Sequence, residues 1–136
     1  MRSHAICAAV LTLAATSLIG AQPPAGADRP PVVRKMLLQQ DLTIPGNYSL
    51  ALLSVEIAVG GREGRHTHPG ALAVYVQEGQ VAMESDGKPT VTYKAGDTLF
   101  IEAGRIHEGI NVGAVPAKAI ATLVVPKGQP LSAPVQ

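Results

Sequence analysis

From Leu53 to Val59, apolar residues alternate with Ser54, Glu56 and Ala58, the period-two signature of a strand with one buried face. Comparable short runs recur along the chain. Leu72 to Val76 is more continuously apolar and stops at Glu78-Gly79, while Val81 to Ser85 meets Asp86-Gly87, a two-residue hairpin signal after which Val91 to Tyr93 returns antiparallel. Lys94-Ala95-Gly96-Asp97 marks a turn before Thr98 to Ile101, and Asn111 to Pro116 marks one before the long run from Ala117 to Val125. No helical period persists long enough to compete. Many short strands at regular spacing predict an all-β fold, an antiparallel barrel or sandwich. A barrel closes its own edges and encloses a cavity into which inward side chains project.

The N-terminal stretch follows another pattern. Met1-Arg2-Ser3-His4 is polar and basic, Ala5 to Ile19 is an almost unbroken apolar run, and small residues follow. That order reads as a secretory signal peptide, because the run is short for a bilayer span and leads into a cleavable region. Cleavage is expected after Ala21, with Ala27 as the competing site. The expected division is a signal over residues 1–21, a Pro/Ala linker over 22–31, a β-barrel over 32–126 and a flexible tail over 127–136, where Gly128, Pro130 and Pro134 interrupt any regular element. The product would be exported, periplasmic or secreted. Arg2 has no neighbouring arginine, so a general secretory route is expected rather than a twin-arginine one.

Loss of Arg2 with the signal would leave the basic residues balanced against the ten acidic ones. A neutral chain without basic clusters argues against nucleic acid and against anionic membrane surfaces as partners. The single cysteine, Cys7, lies within the signal, so the mature chain has no disulfide and no thiol nucleophile, and its stability must come from a packed core. Aromatic residues are confined to Tyr48, Tyr75, Tyr93 and Phe100, a poor supply for stacking sugars or bases. A small-molecule ligand would meet aliphatic walls instead.

Candidate chemistry centres on His66-Thr67-His68. On a strand, positions 66 and 68 put two imidazoles on one face, a pleat apart and close enough to share a metal ion. His107 can add a third if the chain folds back as an antiparallel sheet. An isolated His-x-His occurs by chance on many strands; here, of four histidines, His4 falls in the signal and all the others fall in this constellation. Neutral imidazole is the commonest biological metal ligand, and three leave coordination positions for water or substrate. Asn111 is read as a turn-ordering residue, Glu108 as pointing away from His107, and Glu78 as lying at the barrel rim. Arg62, Arg65 and Arg105 are close enough in sequence to greet an anionic substrate, although solvated loop positions suit them better. No Ser/His/Asp relay, P-loop or paired carboxylates are visible, and no catalytic residue is assigned.

The stretch Gly60-Gly61-Arg62-Glu63-Gly64-Arg65-His66-Thr67-His68-Pro69-Gly70, continuing to Tyr75-Val76-Gln77-Glu78-Gly79, resembles the first motif of the cupin superfamily, and Gly96-Asp97 through Gly104, His107 and Asn111 resembles the second. The resemblance implies an antiparallel double-stranded β-helix, or jelly-roll, barrel with one metal held by His66, His68 and His107. It also implies a homodimer formed through an N-terminal strand at about Val33 to Leu42. Two positions depart from the pattern. Leu72 stands where the family places a glutamate ligand, and Glu102 stands where it places a proline. By parity Leu72 shares the face of His66 and His68, so an apolar group takes the carboxylate's place. Three neutral ligands favour Zn, Cu, Fe or Ni over Mn. Such a site resembles those of thiol and diketone dioxygenases, in which a small substrate chelates the metal. The same leucine also fits a barrel that binds a metal or small ligand without catalysis.

Overall fold

The computed structural model describes residues 31–136. The expected signal, and the linker as far as residue 30, lie outside the described residues. The strands are β1 (Val32–Asp41), β2 (Tyr48–Ile57), β3 (His66–Thr67), β4 (Ala71–Glu78), β5 (Gln80–Ser85), β6 (Lys88–Lys94), β7 (Thr98–Ile101), β8 (His107–Asn111), β9 (Ala117–Pro126) and β10 (Ala133–Pro134). They form two five-stranded sheets, ordered β1-β2-β9-β4-β7 and β10-β3-β8-β5-β6. Every strand pairing is antiparallel. This is the all-β jelly roll that the sequence predicts.

Alternation explains the first sheet. In β9, Ala117, Ala119, Ala121, Leu123 and Val125 are buried while the residues between them are half-buried. β9 lies between β2 and β4 and pairs with both along its length. Its alanines keep the middle of the sheet thin and leave room behind it. On β2, Leu53, Val55 and Ile57 face the interior as their period requires. Val59 does not continue the strand: the chain turns at Ala58, whose carbonyl accepts from Gly61 N at 2.8 Å, and Val59 is 56% exposed. Burial of each such aliphatic side chain stabilises the fold by roughly 1.5–3 kcal/mol.

The Asp86-Gly87 hairpin forms where expected, with Ser85 paired to Lys88 across it. The turn at Lys94-Ala95-Gly96-Asp97 is tied to β4 by Gly96 N donating to Val76 O and Val76 N donating to Asp97 O. Gly70 lets two strands approach closely. A Cβ at this position would collide with the carbonyl of Val124, so glycine permits β4 to enter against β9.

Residues 127–136 depart from the expectation of a flexible tail. They fold back across the barrel, where Ala133 and Pro134 pair with Thr67 and His66, and Val135 N donates to Arg65 O at 2.9 Å. Proline and glycine density signals fraying, but Leu131 supplies an apolar anchor that packs against the core. The segment acts as a strap over one end of the barrel.

Candidate metal centre

Residues 61–66 run beside β8. Asn111 N donates to Gly61 O, Arg62 bridges Ile110, Glu63 N donates to Gly109 O, and His66 pairs with His107. Between the pairings at 62 and 66 the loop carries one more residue than β8 does between 110 and 107. Gly64, at φ 78°, absorbs the excess in a conformation that disfavours other residues. Both Glu63 and His66 consequently line the interior.

His66, His68 and His107 meet there. Their ring centroids lie 4.3–5.0 Å apart, and one ligand nitrogen from each falls within 4.8 Å of the others. In every ring Nδ1 faces a backbone carbonyl: Gly64 O for His66 at 2.8 Å, Leu131 O for His68 at 2.7 Å and Arg105 O for His107 at 2.9 Å. A carbonyl only accepts, so Nδ1 carries the proton and Nε2 keeps its lone pair for the cavity. Burial lowers the pKa of His107 and drives that of His68 down to about 4, with the neighbouring histidines adding repulsion and the Leu131 carbonyl opposing the shift. Both are neutral near pH 7, the form that binds metal. The donor set fits one divalent ion, and the three histidines could hold it.

The rest of the cavity, about 90 Å³, is mainly aliphatic, with Leu53, Val74, Leu99 and Leu123 among its walls. Leu72 lines it too, from β4 in the first sheet, whereas His66 and His107 come from the second. The arginines singled out in the sequence are engaged elsewhere. Arg62 donates from Nε and Nη2 to the two oxygens of Glu108 at 3.0 and 2.7 Å, Arg65 pairs with Asp86, and Arg105 pairs with Glu102. Glu108 points away from His107 as expected, yet it is buried; it also accepts from Gly64 N and lies opposite Glu84 across the strands, so Arg62 relieves two facing carboxylates. Asn111 does order the turn: Nδ2 donates to Ile57 O and Val115 O, and Oδ1 accepts from Gly113 N. Glu102, in the place of the motif's proline, accepts from Lys88 and Arg105 at the surface, and the Lys88 contact leads in drawing its pKa down to about 2.

Sequence reasoning missed Arg34, Glu63, Leu131 and Ser132, all of which line the cavity. Strict alternation back from His66 would turn Glu63 outward, and only the residue inserted at Gly64 turns it in. Arg34 and Leu131 arrive from distant parts of the chain and leave no local signal.

Comparison with known proteins places these features. The model of the cupin domain matches residues 53–126. An auxin-binding protein of Prunus persica is 35% identical over 78 residues, 54% of this chain and 36% of that protein, and a germin-like protein of Arabidopsis thaliana is 33% identical over 81 residues with the same coverages. The chain thus spans about a third of the length of these curated relatives. Among solved structures, a cupin-like protein of Thermotoga maritima superposes with a TM-score of 0.60 at 22% identity, covering 76% of this chain and 75% of that one. Oxalate oxidase in complex with the substrate analogue glycolate gives a TM-score of 0.63 at 19% identity, covering 84% and 60%. With the domain model spanning both histidine segments and the same jelly roll in these structures, the chain belongs to the cupin family.

Proposed function

We propose that this is an exported small metal-binding cupin in which His66, His68 and His107 jointly hold one divalent transition ion, acting as a dioxygenase-type oxidoreductase on a small chelating substrate. The observation that carries the reading is the convergence of three histidines, one ligand nitrogen from each, in one mainly aliphatic cavity. A bound ion would supply Lewis acidity and a template for substrate and dioxygen. The chain's own part is to orient the imidazoles through their Nδ1 bonds, to keep bulk water out with aliphatic walls, and to restrict the ligand to a few heavy atoms. Lining charges other than the ion reduce to Arg34 and Glu63, which offset each other, so an anionic chelator is favoured over a neutral one. Leu72 favours Zn, Cu, Fe or Ni over Mn.

Two further parts of the reading rest on separate observations. The tripartite N-terminus supports export, and among the described residues no helix is long and apolar enough to cross a membrane. A chain exported unfolded loads its metal outside the cytoplasm, where affinity order and availability favour zinc or copper. Among the described residues β1 ends its sheet with one unpaired edge and exposes Met36, Leu37 and Leu38, which supports a homodimer.

Elemental analysis of protein recovered from the periplasm or medium, followed by oxygen-uptake screening with small chelating acids, tests the function. Stoichiometric zinc or copper is expected, with oxygen consumption restored on loading iron. Absence of any stoichiometric transition metal would reject the site. Metal without oxygen turnover would leave the second reading, a noncatalytic metal or small-ligand binding module, which the apolar residue at position 72 favours.

A further inference from the structure

Leu72 removes a carboxylate from the cavity, and the structure returns one from a different element. Glu63 is the only acidic residue among the described residues that lines the cavity, and its side chain is 12% exposed. One of its oxygens, Oε1, accepts from Arg34 Nη2 at 2.8 Å. The other, Oε2, occupies the space over Gly109 that a Cβ there would need, next to Val81. Gly109 lies two residues beyond His107 on the same strand and therefore on the same face. An inward carboxylate with one oxygen clamped by a cation, and with space kept for the other by a missing side chain, is a built feature of this cavity.

We propose that Glu63 replaces the carboxylate lost at position 72 as the charge-compensating group of the metal site, acting from outside the three histidines by accepting hydrogen bonds from water or a protic ligand on the ion. Arg34 moderates its charge, and the space over Gly109 keeps its other oxygen in the cavity. A divalent ion on three neutral imidazoles leaves its charge unbalanced within the cavity, and a fixed anion nearby lowers the energy of the loaded state. Arg34 acts with opposite sign. The two partners therefore make opposite predictions.

The proposal rests on the three-histidine reading, and titration of the full-length mature chain with zinc alone, against a competing chromophoric chelator, separates the two. Glu63→Gln keeps the shape and removes the charge; zinc affinity should fall about tenfold. Arg34→Met removes the opposing cation, and affinity should rise several-fold. Gly109→Ala leaves the carboxylate in the chain but evicts it from the cavity, so it should weaken zinc binding as Glu63→Gln does. Metal-free melting temperatures check that each variant is folded, and the Arg34→Met arm stands independently of the other two. Unchanged affinity in Glu63→Gln, or weakening by both Glu63→Gln and Arg34→Met, would overturn the proposal and make the pair a structural clasp. Failure of the parent protein to bind zinc would instead strike at the histidine site.

Discussion

The aliphatic walls of the cavity come mainly from long, regular strands: Leu53 from β2, Leu72 and Val74 from β4, Leu123 from β9, with Leu99 added by the shorter β7. Its polar side is assembled from short or irregular pieces, namely the two-residue β3, the loop carrying Glu63, the start of β8 and the strap around Leu131. A regular sheet can alternate faces but cannot by itself bring three imidazoles to one point and a carboxylate into the same cavity. The difference teaches that the container is a property of periodicity, while the chemistry depends on the places where periodicity is broken.

The largest effect should come from the polar side. Replacing His66, His68 or His107 by alanine removes one of the three proposed bonds to the ion, and metal content measured after dialysis should fall from stoichiometric to near zero. Full stoichiometry in His107→Ala would defeat the joint site. A chain shortened after Pro126 keeps all three histidines but loses the carbonyl that fixes His68. Its zinc affinity should drop about tenfold or more, and equal affinity would show that the strap is only a cover.

The container can be made to contribute chemistry. Leu72→Glu places a carboxyl group among aliphatic neighbours, which should cost the metal-free protein about 3 kcal/mol when unbonded. Manganese should recover much of that loss, since an anionic oxygen ligand suits a harder ion. A manganese-induced rise in melting temperature no larger than the parent's would reject the inward placement of this position for metal chemistry. Outside the cavity, Arg62→Met leaves Glu108 buried opposite Glu84 without its cation, and the midpoint of chemical unfolding should fall.

Acidification separates the two regions by pH. His68 takes up a proton near 6.5 when unfolded but only near 4 when folded, and His107 is shifted in the same direction. Unfolding therefore gains protons as pH falls from about 6.5 toward 4, and the metal-free protein should lose stability across that window. The surface carboxylate of Glu102 is lowered from 4.5 to about 2, so its smaller contribution should disappear only in the lower interval. Melting curves of His68→Gln should be flatter than the parent's in the upper window alone.

How much of this was legible follows from the same contrast. Alternation in Leu53 to Ile57 and in Ala117 to Val125, together with the turn at Asp86-Gly87, carries the barrel, because both signals act over a few residues. His66, His68 and Leu72 all line the cavity because inward alternation carries across the turn at Pro69-Gly70, even though His66 and Leu72 belong to different sheets. Parity fails at Gly64, where one extra residue turns Glu63 inward. The Arg34–Glu63 contact spans 29 residues, and the bond from His68 to Leu131 spans 63. Such meetings are decided by the closure of the whole barrel and leave no local periodicity to read.

The bond from His68 to the Leu131 carbonyl also orders events during synthesis. A chain emerging from the ribosome N-terminus first exposes His66 and His68 well before Leu131 exists to hold the second of them. A nascent segment can bind metal only through loosely directed rings, while the aligned set requires the chain to have been made at least through Leu131. Capture of an ion in the folded geometry therefore waits until Leu131 has been made, and a stalled or proteolysed product ending between His107 and Leu131 would carry all three histidines without their native alignment.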